Sequence, residues 1–167
     1  GSYLMGIDIG TGGCKATIID TEGVIAGSDV REYPSFYPRP SFAEQDPATW
    51  YSALKDSVKG AVLKAEIKGR DIESVCVDGQ VHTPVFLDED WNVLRPSIPW
   101  TDQRSTLQVE RLKRDIGQER VIDITFNPPA NSFTLPQVLW VKDNEPEIWK
   151  KTYKILIAKD YIRGLLT

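Results

Sequence analysis

A chain of 167 residues with 41% hydrophobic content is long enough for one domain to bury about 70% of the surface its unfolded form exposes. The formal net charge is −4, and lysine and arginine are dispersed rather than clustered, which excludes the basic footprint of a nucleic-acid binder. With two cysteines and no long apolar run or signal-like segment, the chain reads as cytoplasmic and thiol-reduced, with no membrane partner. Gly1-Ser2 reads as an expression scar outside the fold. The most informative stretch follows at once. Met5, Ile7 and Ile9 share one face of a period-two strand while Gly6 and Asp8 take the other, so Asp8 emerges where the strand meets the turn. Gly10, Gly12 and Gly13 keep side chains out of that turn and let backbone N–H groups crowd toward an anion. The β-rich run through Lys15, Thr17, Ile18 and Ile19 then returns as a second strand.

Two other glycine motifs fail here. A P-loop requires Gly-Lys-Ser/Thr opening a helix, but Gly13 is followed by Cys14, Lys15 and Ala16. In the dinucleotide pattern counted from Gly10, the third glycine would fall at Lys15, and a strand follows instead of a helix. Strand, phosphate-binding turn, strand is the better reading. Asp20-Thr21-Glu22-Gly23 is a further turn, and residues 24–33 make a third strand, so the chain opens with an antiparallel meander.

A Pro-, Ser- and aromatic-rich loop over residues 34–46 ends in Asp46-Pro47, an N-cap followed by proline at the first helical position. Trp50, Leu54, Val58, Ala61, Val62 and Ala65 then recur at helical spacing as a core-facing stripe. Residues 72–78 read as a buried strand with 83–87 as its neighbour, and Asp88-Glu89-Asp90 as a turn into 91–94. Residues 97–101 suggest a short strand weakened by Pro99. A helix over 105–116 is terminated by Gly117, Asn127 to Asn131 form a loop, and 133–142 are helical with Pro136 near the start. Cys14 and Cys76 lack metal-ligand spacing with the single histidine, so both are expected as small buried residues.

Chemistry-bearing residues beyond the hairpin are fewer. Gln80, His82 and Thr83 lie just past a strand, and His82, the single histidine, reads by itself as an ordinary surface or hydrogen-bonded residue. Trp100-Thr101-Asp102-Gln103-Arg104 offers an aromatic platform, an acceptor and a forked donor. The same five residues also fit a core tryptophan, a capping aspartate and a bracing arginine. Asp78 ends its strand and either approaches a cleft or caps the next turn.

Gly6-Ile7-Asp8-Ile9-Gly10-Thr11 with Lys15 resembles the first phosphate motif of the actin, Hsp70 and sugar-kinase superfamily. Glu44-Gln45-Asp46-Pro47, Gly79-Gln80-Val81-His82, Trp100 to Arg104 and Lys159-Asp160-Tyr161 follow in the order seen in FGGY-type carbohydrate kinases, with the nearest likeness to xylulokinases. The resemblance implies an α/β fold of the actin-like ATPase, ribonuclease H-like kind, a mixed sheet starting with the three-strand meander and flanked by helices. It implies ATP and Mg²⁺ as cofactors, with Asp8 holding the metal and Gly10, Thr11, Gly12, Gly13 and Lys15 meeting the phosphates. Gln80, Val81, His82, Trp100 and Asp102 would line a sugar site, for a ketopentose such as xylulose. Val81 and Thr83 stand where the family usually has Met and Gly, and Thr101 and Gln103 where it has Asn and Gly. In that family the catalytic base and most adenine contacts lie further along the chain. Residues 3–167 are therefore expected to be a truncated N-terminal, sugar-binding domain without its C-terminal domain, inactive alone. A kinase for glycerol or another polyol, a non-catalytic or ATP-gated scaffold domain, and a homodimeric assembly stay open.

Overall fold

Alternation sets the first three strands. In the computed structural model, which describes residues 1–167, β1 (Tyr3–Ile9) pairs antiparallel with β2 (Gly13–Asp20), and β2 pairs antiparallel with β3 (Ile25–Glu32). β4 (Ile72–Gly79) adds to β1 in parallel, giving the sheet order β3-β2-β1-β4. Met5, Ile7 and Ile9 of β1 and Cys14, Ala16 and Ile18 of β2 are all buried. Between β3 and β4 runs α1 (Pro47–Ala65), which begins as expected, with the Asp46 carboxylate accepting the Ala48 N–H at 2.9 Å and proline in the first turn. It lies on β2 and β3 and buries Trp50, Ala53, Leu54, Ser57 and Ala61, while Val58, Val62 and Ala65 are half-buried. These segments belong to one compact unit, made of Gly1–Ser35, Asp46–Gln80 and Ala158–Thr167, which also holds the terminal helix α6 (Ala158–Leu166) against β4.

The helix approaches the sheet most closely at Gly27. A Cβ there would stand 2.5 Å from the Ala61 carbonyl oxygen and 2.7 Å from the Ala65 nitrogen, both backbone atoms that cannot rotate away. Gly27→Ala is therefore expected to lower stability by about 1–3 kcal/mol. Gly69→Ala, where a Cβ meets nothing within 4 Å, should change it little. Urea unfolding of the two variants against wild type measures the difference.

The second unit, Phe36–Gln45 with Val81–Ile157, has a core around Phe86, Ile98 and Val141. It contains β5 (Pro84–Leu87), α2 (Thr106–Asp115), α3 (Gln118–Thr125), α4 (Thr134–Asn144), α5 (Pro146–Lys151) and β6 (Lys154–Ile157). Gly117, at φ 91, ends α2 and opens α3, a backbone geometry that suits glycine.

Four sequence expectations are corrected. β4 is not buried: it is the edge of its sheet, and Val75 is 51% exposed. β5 is not its neighbour but pairs antiparallel with β6, from Pro84 with Ile157 to Leu87 with Lys154. Residues 97–101 form no strand; Ser97 makes one isolated bridge to Gln45, and Pro99 has no N–H to extend it. Cys14 is buried as expected, but Cys76 is exposed on β4.

Candidate functional site

Asp8 occupies the penultimate position of β1, directly opposite Lys15 on β2 and beside Asp78 on β4. Residues in register on adjacent strands project from the same face. The three charged side chains therefore share the face that α1 does not cover. They line a cavity of about 260 Å³ together with Gly6, Ile7, Thr17 and Cys76. None of the three enters an ion pair. Two carboxylates and one ammonium, none of them in an ion pair, thus stand together on one sheet face.

The turn above this face is held from three sides. The Gly10 N–H donates to the Gly13 carbonyl at 2.9 Å, the Tyr33 N–H donates to the Gly12 carbonyl at 3.3 Å, and the Tyr33 hydroxyl donates to the Gly10 carbonyl. Burial pushes the Tyr33 phenol well above its usual range, so it stays a donor at any ordinary pH. The glycines have separate reasons. A Cβ on Gly13 would lie 2.8 Å from the Arg31 carbonyl oxygen, whereas one on Gly12 meets nothing, which leaves the tip of the turn open. Behind it, the Cys14 thiol is raised mainly by burial, although it accepts the Ser57 hydroxyl at 3.4 Å. It is a packing residue.

Gln80 is buried in the same unit, its N–H on the Ile9 carbonyl at 2.7 Å, which pins the end of β4 to the end of β1. Val81 is exposed, and His82 takes the left-handed conformation at φ 52. Such a backbone is uncommon for a residue with a side chain and marks a position held by its surroundings. The half-buried imidazole meets the Phe133 ring edge-on at 4.5 Å between centroids. Burial lowers its pKa below the usual value of 6.5, so it is neutral near pH 7 and can both donate and accept. It opens on a cavity of about 160 Å³ walled mainly by apolar residues, among them Leu112, Val121, Phe133 and Pro136.

Trp100 and Asp102 are not walls of that cavity. Trp100 is 42% exposed, as a platform would be. Asp102 is buried and already occupied: it accepts the Ala43 N–H at 2.7 Å, the Arg104 N–H at 2.8 Å and the Arg104 Nε at 2.9 Å. Arg104 in turn reaches Glu44 at 2.9 Å and lies between the rings of Phe42 and Trp140, 4.1 and 4.9 Å from their centroids. Glu44 also pairs with Arg95, which holds Glu145 at 2.6 Å. This network was not legible from spacing, because its members are far apart in the chain; the one signal was a glutamate and two arginines in otherwise apolar or turn-like surroundings.

Comparison with known proteins points in one direction. The model of the N-terminal domain of the FGGY family of carbohydrate kinases matches residues 3–167. The chain is 36% identical over 165 residues to a xylulose kinase of Bacillus subtilis, covering 99% of this chain and 33% of that protein. It is 30% identical over 152 residues to a glycerol kinase of Thermococcus gammatolerans, covering 91% of this chain and 31% of that protein. Among solved structures, a xyloylose kinase from Brucella ovis superposes with a TM-score of 0.91 at 34% identity, over 96% of this chain and 33% of that one. The chain thus spans about a third of the length of the curated relatives it matches.

Proposed function

Since the chain belongs to the FGGY family of carbohydrate kinases and has their actin-like, ribonuclease H-like architecture, we propose that the whole protein transfers the γ-phosphoryl group of ATP to a sugar hydroxyl, with a ketopentose such as xylulose as acceptor. The observation that carries this reading is the exposed, unpaired Asp8 carboxylate beneath a glycine turn, with Lys15 directly opposite. Carboxylate oxygens are the ligands Mg²⁺ prefers, so the donor set fits the metal, and Asp8 would hold it or its waters. When bound, Mg²⁺ neutralises charge on the transferred phosphoryl group. The tip of the turn, from Thr11 to Gly13, would meet the phosphates through its backbone. Gly10 shapes the turn, because its own N–H is committed to Gly13, and Lys15 offsets phosphate charge.

On the sugar side, Gln80, Val81 and His82 and the exposed ring of Trp100 would position the acceptor. Asp102 acts there by holding the loop that carries Trp100, since its oxygens already accept three donors. The base that takes the hydroxyl proton is placed outside these 167 residues, so this chain alone is expected to transfer no phosphoryl group.

Release of ADP by the full-length protein, measured with xylulose, glycerol and other polyols, tests the reading. ADP release that requires one of these acceptors supports it; hydrolysis of ATP indifferent to every acceptor overturns it. In the same assay His82→Ala is expected to raise the KM for sugar about three- to tenfold, the worth of a lost hydrogen bond, while leaving the KM for ATP unchanged.

A further inference from the structure

We infer that Thr83 is the positioning residue for His82, an assignment that rests on the sugar-side reading of His82 proposed above. The Thr83 hydroxyl donates to the Val81 carbonyl at 3.0 Å, so this hydrogen bond spans His82 and closes a turn around it. His82 is the residue of that turn with positive φ, at 52°. For a residue with a Cβ such a conformation is costly by itself, and it persists where neighbouring contacts hold it. The hydroxyl supplies one, because a threonine side chain that reaches back to the main chain two residues away fixes a local turn in place of strand or helix. Without it, the ordinary extended and right-handed regions are open to His82, and each aims the imidazole elsewhere.

Thr83 is itself anchored. It is fully buried, and Pro84 after it restricts its backbone to the extended region. Pro84 opens β5, which pairs with β6 along its whole length, and Val85, Phe86 and Leu87 are fully buried. The hydroxyl therefore stands on the core of its unit, and branching at Cβ limits its rotation. The imidazole is less firmly held. Phe133 meets it edge-on at 4.5 Å between centroids, a contact that carries no directional bond to either nitrogen. Where those nitrogens point is decided by the backbone that carries the ring, and a binding group is only as precise as the residues that support it. Thr83 is not a wall of the cavity on which His82 opens, so it acts through His82 and not on the ligand.

ADP release by the full-length protein with xylulose as acceptor, read as separate KM values for xylulose and ATP, tests this. Thr83→Val keeps the branched shape and removes the hydroxyl. It is expected to raise the KM for xylulose about three- to tenfold, the worth of one hydrogen bond, with kcat and the KM for ATP unchanged. Thr83→Ser keeps the donor and should return the KM to near wild type. In a His82→Ala background Thr83→Val should add nothing, because a residue that acts through the imidazole has nothing left to position. If His82→Ala raises the KM for xylulose and Thr83→Val does not, or if the two effects multiply in the double variant, the assignment of Thr83 is overturned and the reading of His82 stands. If His82→Ala leaves that KM unchanged, the reading of His82 fails and the assignment falls with it. Should Thr83→Val not fold, Thr83→Ala, which also lacks the donor, takes its place in every comparison. Equal rises in the KM for xylulose and for ATP would mean a role in the fold alone and also overturn the assignment.

Discussion

Asp8→Asn is expected to lower kcat by about two orders of magnitude or more, with sugar affinity unchanged and thermal stability close to wild type. The first half follows from charge: removing one preorganised electrostatic contact to a reacting group typically costs 10²- to 10³-fold, and an amide offers Mg²⁺ no anionic oxygen. The second half follows from the structure, where the carboxylate is exposed, forms no ion pair and lies beside Asp78. Replacing it relieves the repulsion from Asp78, offsets this with the lost attraction to Lys15, and breaks no hydrogen bond or ion pair. Steady-state kinetics at saturating Mg-ATP, calorimetric titration with sugar and a melting curve together separate this from a folding lesion. Near-normal turnover would remove Asp8 from the phosphate site.

Arg104→Ala is expected to cost about 3–5 kcal/mol, the range for breaking a buried ion pair by removing one partner. The guanidinium side chain is 1% exposed and its partner Asp102 is fully buried, so the alanine variant leaves a carboxylate in the interior with only backbone N–H donors. It also empties the space between Phe42 and Trp140. Arg104→Lys should fall between, because an ammonium keeps the charge but neither the fork that reaches Asp102 and Glu44 nor the flat face that stacks. Urea midpoints of the three proteins give the order. An Arg104→Ala variant within about 0.5 kcal/mol of wild type, the range of an ordinary surface substitution, would mean that the network does not hold this unit together.

The Arg104 network shows why motifs that look functional in sequence need not touch a ligand. In Glu44-Gln45-Asp46-Pro47 every residue has a structural task. Glu44 joins two arginines, Gln45 exchanges main-chain bonds with Ser97 at 3.0 and 2.8 Å, Asp46 caps α1 and Pro47 opens it. Asp102 also has a structural task, and only its hydrogen-bond partners, reached across 59 residues to Ala43, reveal it.

What the sequence determined by itself is whatever depends on neighbours along the chain. The period-two alternation of Met5, Ile7 and Ile9 against Gly6 and Asp8 is enough to put Asp8 on the open face at the mouth of the turn, because strand side chains alternate whatever the rest of the protein does. Asp46-Pro47 and the stripe from Trp50 to Ala61 likewise determine where α1 begins and which face it buries. The tertiary structure decided everything that depends on which segments meet. The apolar run of β4 lies exposed at a sheet edge, since burial of a strand is a property of its neighbours and not of its composition. β5 closes with β6, about seventy residues later, instead of with β4, a pairing that no local pattern encodes. The same kind of long-range register, between β1 and β4, is what sets Asp78 beside Asp8; seventy residues separate them in the chain, and only the parallel pairing of the two strands makes them neighbours.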